Sequence, residues 1–380
     1  MEFYANVKDL KKAFSLVALS VGEASETING HTLFDVKDGK VYLYSTDLDK
    51  MSMAYLPISN LSTEGDIQFT ADPKKIQKVI SSSDADSIKF SYDKDAKTLN
   101  IYASEVSDAY ISFASFDPQD FLTFDKDLES ATIVKYVNAQ VFQAGLKFIQ
   151  GFLPDNDANK KYANLFILDG AMKGSNGSFK VGAFECEDFK GIDVTLRRLM
   201  LPAIGSLIDL SEATEISLAL TEKLIVISSK DQLSRFAFRK TTITMPKLPL
   251  ALTPPETGHF RIERNVLLKK LNRLSITSKE EFGIVFKAGA TDLAMETIAD
   301  RKSYEKMPCV GGESTLDFVL ECNKFKFVMG FYPSSHVDIY VDNTKCTFFS
   351  SDVLVMEEEG KAPVSKPYTA VGIQTLGKKL

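Results

Sequence analysis

The sequence predicts an α+β fold in which short, mostly antiparallel strands outnumber helices and are arranged in three similar blocks. Hairpin signals recur along the chain, helical periodicity is confined to a few short amphipathic segments, and both follow one order three times. At 380 residues the chain exceeds one ordinary core and suits two or three domains. Hydrophobic residues at 44% and charged residues at 25% exclude wholesale disorder.

The first helix is expected over residues 6–19, with Val7, Leu10, Phe14 and Val17 on one face. Next comes a hairpin, in which Thr32-Leu33-Phe34-Asp35-Val36 and Val41-Tyr42-Leu43-Tyr44-Ser45 flank the turn Lys37-Asp38-Gly39-Lys40. Asp72 caps a second helix with Pro73 at its first position. Strands are expected at 87–92, 98–103 and 110–115. In the second block Asn138 caps a helix over 139–153, residues 203–210 form a short apolar helix, and 215–220 pairs with 224–229. In the third, 264–274 carries Leu267, Leu268, Leu271 and Leu274 on one stripe, and Asn323 opens a last helix. The expected domains are 1–128, 129–254 and 255–359, with a linker at Thr253-Pro254-Pro255-Glu256-Thr257-Gly258 and a flexible, extended tail over 360–380.

No apolar run reaches the roughly 18 residues of a membrane span. Met1-Glu2-Phe3-Tyr4 lacks a basic region followed by an apolar one, so no secretory signal is expected. Cys186, Cys309, Cys322 and Cys346 lack metal-ligand spacing and read as reduced thiols of a cytoplasmic protein. No phosphate-binding loop, nucleophile elbow, zinc-protease motif or dinucleotide fingerprint occurs. His31, His259 and His336 lie far apart, so no catalytic residue, metal or cofactor is expected. A rival reading is a two- or three-domain α+β hydrolase using Asp47, Asp49 or Glu185 at an interdomain acidic site; another is a scaffold that binds only protein.

The net charge of −6 favours nucleic acid only if basic residues share one surface. They are grouped in that way. Lys8, Lys11 and Lys12 oppose the first apolar face, Lys74, Lys75 and Lys78 oppose Ile76, Val79 and Ile80, and Lys269, Lys270 and Arg273 oppose the leucine stripe. A solvated helix surface shows the same layout. Three helices with lysine and little acid point instead to a surface that faces phosphates without reading bases. The middle block is weaker, offering Lys147 among Gln140, Gln143 and Gln150, with Arg197 and Arg198 farther on.

The order of these segments resembles the bacterial-type DNA sliding clamp, the beta subunit of the replicative polymerase, over nearly the whole chain. The resemblance rests on the 7–19 helix, Leu33–Leu43 with Ser45-Thr46-Asp47-Leu48-Asp49, Ser115-Phe116-Asp117-Pro118-Gln119-Asp120-Phe121, Met245-Pro246-Lys247-Leu248-Pro249, the helices at 264–274 and 321–331, and Leu354-Val355-Met356 as the terminal strand. It implies a ring-shaped homodimer, with helices lining the interior and antiparallel sheets outside, that encircles double-stranded DNA independently of sequence. It also implies that DNA polymerase and a clamp loader bind through short linear peptides in a cleft lined by Phe184, Phe189, Met245, Pro246, Leu354 and Met356. Phe113 and Ile276 would meet across the subunit interface. Two departures from the family pattern suit a virus-encoded clamp. Phe184-Glu185-Cys186-Glu187-Asp188-Phe189 replaces a glycine-histidine-arginine stretch, and residues follow the Leu354–Met356 segment where the family usually stops.

Overall fold

The computed structural model describes residues 1–24, 26–63, 65–103, 109–156, 159–178, 180–248, 252, 259–276, 283–298, 302–311, 316–332, 334–341, 345–350 and 368–374, excepting the side chains of 125, 316–317, 324, 331, 345–350 and 368–374. One element order, a strand and helix, then strands, a second helix and three strands, occurs three times. The first copy comprises β1 (Glu2–Asn6), α1 (Val7–Val17), β2 (Thr32–Lys37), β3 (Lys40–Thr46), β4 (Lys50–Leu56), β5 (Ser59–Ser62), β6 (Ile67–Ala71), α2 (Pro73–Ser82), β7 (Ser87–Asp93), β8 (Thr98–Tyr102) and β9 (Ile111–Ala114). After the short α3 (Asp125–Leu128) come β10 (Thr132–Asn138), α4 (Ala139–Gln150), β11 (Asn164–Leu168), β12 (Ala171–Ser175), β13 (Lys180–Glu185), β14 (Val194–Arg197), α5 (Leu201–Ser211), β15 (Glu215–Leu220), β16 (Leu224–Ser229) and β17 (Ser234–Arg239). The third copy is β18 (His259–Glu263), α6 (Arg264–Leu274), β19 (Gly283–Ala288), β20 (Asp292–Thr297), β21 (Tyr304–Pro308), β22 (Leu316–Glu321), α7 (Cys322–Phe331), β23 (His336–Val341), β24 (Lys345–Ser350) and β25 (Tyr368–Gln374).

Each copy distributes its strands over two sheets in the same way. The first, sixth, seventh and eighth common strands form one, as in β10-β15-β16-β17; the second to fifth form the other, as in β14-β11-β12-β13. The eighth strand of one copy pairs with the fourth strand of the copy before it. Thus β17 runs antiparallel to β4 from Ser234↔Ala54 to Phe238↔Lys50, and β25 to β13 from Glu185↔Tyr368 to Lys180↔Ile373. Two eight-stranded sheets result. Among the described residues two strands have no such partner: β9 ends a five-stranded sheet and β21 ends a four-stranded one.

The chain forms two compact units that follow these sheets, residues 1–139 with 202–240, and 140–201 with 241–380. In the first unit Phe69 of β6 stacks on Tyr92 of β7 at 4.4 Å and joins the two sheets, while Phe34 stacks on Phe69 at 4.6 Å and Phe3 on Phe90 at 5.0 Å within them. Such pairs add about 0.5–1.5 kcal/mol each beyond the area they bury. In the second unit Phe286 stacks on Phe318 at 4.9 Å and meets Phe325 of α7 edge-on. Close helix–sheet approach there depends on glycine. A Cβ on Gly182 would lie 2.5 Å from the Phe152 ring, and one on Gly174 would lie 2.6 Å from Ile149.

One expectation is corrected. The flexible tail over 360–380 does not hold for Tyr368–Gln374, which form β25 between β13 and β24. Pro363 and Pro367 precede the strand rather than interrupt it, and two flanking ladders supply hydrogen bonds that an isolated polar segment lacks. Leu354, Met356 and the 253–258 linker lie outside the described residues.

Candidate nucleic-acid interface and open strand edges

In the first unit α1 and α2 pack together, with the Gln77 side-chain amide donating to the Phe14 carbonyl at 3.1 Å. Asn6 caps α1 by accepting from the Lys8 N–H at 2.8 Å, while Asp72 caps α2 by accepting from Lys74 and Lys75 at 2.9 and 3.2 Å. Burial of Leu10, Phe14 and Val17 on α1, and of Ile76, Val79 and Ile80 on α2, turns the lysines outward. Lys8, Lys11 and Lys78 are exposed and carry no ion pair among the described residues. Lys74 donates to the Glu23 carbonyl at 2.9 Å, and Lys75 lies 3.5 Å from its cap Asp72. Lys12 is half-buried and paired with Glu212 at 3.0 Å. That hydrogen bond holds the Glu212 carboxyl below the ordinary carboxylate range.

In the second unit Leu267, Leu271 and Leu274 are buried, leaving Lys269 exposed on α6. Lys270 and Arg273 both reach Glu305 of β21, at 2.7 and 3.1 Å. Lys147 is exposed on α4, whereas Arg197 and Arg198, at the end of β14 and just beyond it, are half-buried. On α7 Phe327 is exposed, and its ring lies 4.6 Å from the ammonium of Lys180. Lys180 is itself buried and donates to the Gly151 carbonyl at 2.7 Å, and desolvation lowers its pKa. Exposed basic side chains are thus most numerous on α1 and α2 in the first unit and on α6 in the second, and few on α4 and α5.

The acids of the hydrolase reading belong to different units. Asp47 accepts from the N–H groups of Asp49 and Lys50 at 3.0 and 2.9 Å, shaping the β3–β4 turn; Glu185 ends β13 in the other unit. Among the described residues, no group of three or more histidines, cysteines or carboxylates could hold a metal ion.

The phase of the open edges follows from their ladders. Ser115 donates to the Lys97 carbonyl, so the N–H groups of Ile111 and Phe113 turn toward β8 and those of Ser112 and Ala114 turn outward. Thr297 donates to the Ser303 carbonyl, which leaves Tyr304 and Lys306 outward on β21. Phe113 is 8% exposed and belongs to the core beneath β9; its accessible neighbours are Tyr110 and Ile111. Ile276, just past α6, is 81% exposed.

No family model and no curated protein matches the chain. Solved structures do. A sliding clamp, DNA polymerase III subunit beta, from Pseudomonas aeruginosa bound to griselimycin superposes with a TM-score of 0.79 at 14% identity, covering 99% of each chain. The DNA polymerase III beta subunit of Thermotoga maritima gives 0.75 at 14%, and the DNA polymerase sliding clamp of Caulobacter crescentus 0.76 at 11%, each covering 99% of both chains. The chain has the sliding-clamp fold.

Within that fold the expected cleft residues divide. Phe184 and Phe189 are fully buried and pack on each other, on Phe148 and on Phe142, so they are core and do not line an open cleft. Alternation along β13 turns Phe184 toward α4, which a family match by position did not reveal. Met245 is half-buried and Pro246 buried, in the segment after β17. Sequence reasoning missed Glu305 and β25. The pairing of Glu305 with α6 spans 35 residues and leaves no local trace, whereas the alternating run Tyr368-Thr369-Ala370-Val371 was a usable strand signal.

Proposed function

We propose that the chain is a DNA sliding clamp: a processivity factor that encircles duplex DNA and tethers replication proteins, without catalysing a reaction. One observation carries this reading. The junction that joins one copy of the repeat to the next is used at β4–β17 and at β13–β25, and among the described residues its two halves remain open at β9 and β21. A second chain satisfies both open edges by repeating that junction head to tail, and two chains so joined close into a ring of six domains. The domains are 1–128, 129–254 and 255–359, the last completed by β25.

In this ring the basic faces of α1, α2 and α6 line the hole, so Lys8, Lys11, Lys78 and Lys269 attract phosphate without reading sequence. Enclosure supplies retention, so the lining need attract DNA only weakly and sliding remains possible. Ile276 and the accessible residues beside Phe113 flank the subunit junction. Partner peptides from a polymerase and a loader dock near Met245 and Pro246. The test is retention on DNA of different topology. Protein assembled on nicked circular DNA should stay bound at moderate salt and be lost once the circle is cut. Equal retention on both forms overturns the reading.

A further inference from the structure

Resting on the clamp reading, we infer that Glu305 is an electrostatic attenuator of the DNA-facing surface, a positioning residue that holds Lys270 and Arg273 away from phosphate. Its two carboxylate oxygens are divided between two cations, Oε2 to Lys270 Nζ at 2.7 Å and Oε1 to Arg273 Nε at 3.1 Å. The carboxylate side chain is only 16% exposed, whereas that of Arg273 is 60% exposed, so the acid sits beneath the basic face rather than on it. That placement follows from the fold. Glu305 lies on β21, α6 packs against that strand, and the ladder partner Met295 fixes which face of the sheet Glu305 occupies. In the other unit Glu212, just after α5, holds Lys12 of α1 at 3.0 Å. Both carboxylates cancel charge at the helices richest in basic residues. A lining built to bind DNA tightly would leave these cations free; one built for passage over DNA benefits from having them occupied.

The mechanism predicts coupling, not merely added charge. In Glu305→Gln the side-chain shape is kept and two cations are released, so a short linear duplex should bind roughly threefold to tenfold tighter, with a salt slope steeper by up to about two. In a Lys270→Met/Arg273→Gln background the same substitution should change neither quantity. Glu212→Gln, at a side chain 73% exposed, should act likewise through Lys12 and lose its effect in Lys12→Met. Fluorescence anisotropy across a salt series reads all of these on the full chain, with thermal melts confirming the fold. An unchanged slope in both carboxylate variants, with wild-type binding intact, overturns the inference and leaves the clamp reading standing. Equal tightening with and without the cations also overturns it, since the carboxylates would then act only through their long-range field. A wild type that binds no duplex at low salt overturns both.

Discussion

Removing residues 368–380 separates a structural strand from a dispensable tail. β25 makes six register pairs with β13 and six with β24. Antiparallel ladders average about one hydrogen bond per pair, so on the order of a dozen bonds are lost, each contributing a net of about 1 kcal/mol. Leaving seven residues unordered recovers about 1–2 kcal/mol apiece. At the midpoint of that range, about 1.5 kcal/mol per residue, the ladders alone leave roughly 1–2 kcal/mol, which is appreciable against the 5–15 kcal/mol typical of domain stability. Truncation also divides an eight-stranded sheet and exposes the edges of β13 and β24. Urea denaturation followed by circular dichroism should show a lower midpoint, and light scattering should show self-association. An unchanged midpoint with unchanged solution mass would refute the assignment of β25 as a structural strand.

Replacing Lys8, Lys11 and Lys78 by alanine should weaken duplex binding and flatten the salt slope by up to about 0.9 per lysine, with no change in melting temperature. Gly182→Ala should cost about 1–3 kcal/mol, since its Cβ would meet the Phe152 ring, and the loss is measurable as a shift in denaturation midpoint. Burial raises the pKa of the Cys309 thiol, so native protein should be alkylated there far more slowly at neutral pH than unfolded protein, as mass spectrometry would show. Desolvation holds the folded pKa of Lys180 below its unfolded value of 10.5, so the folded state binds fewer protons in that window. Wild-type stability should therefore rise relative to Lys180→Met as pH increases toward 10.5, and denaturation at several pH values reads the sign.

Much of the fold was legible because its signals are local. The Asp72-Pro73 cap, the Asp38-Gly39 turn and the leucine stripe of 264–274 each state their structure within a few residues, and α2, the β2–β3 hairpin and α6 are found there. Tyr368–Gln374 was misread because two prolines and lysine-rich flanks dominate the segment, while the strands that stabilise it lie far away in sequence, β13 most of all. The candidate surface divided in the same way. Amphipathic spacing sufficed to turn Lys8, Lys11 and Lys78 outward. Spacing within one helix could not show that Glu212 and Glu305, brought in by distant strands and turns, already hold Lys12, Lys270 and Arg273. Phe184 and Phe189 were placed in a cleft by analogy, and close packing on α4 made them core.

The head-to-tail junction of β9 with β21 is the central claim, and solution mass tests it most directly. Light scattering coupled to size exclusion should give a discrete mass of two chains at micromolar concentration, with negative-stain images showing a closed ring whose hole admits a duplex. Ser112→Pro removes an outward N–H from β9 and keeps the backbone bonds to β8, at the loss of the Ser112 hydroxyl's bond to the Asn100 side chain, so it should yield folded monomers. A wild type that is monomeric at micromolar concentration, or a Ser112→Pro variant that assembles as well as wild type, would contradict the account.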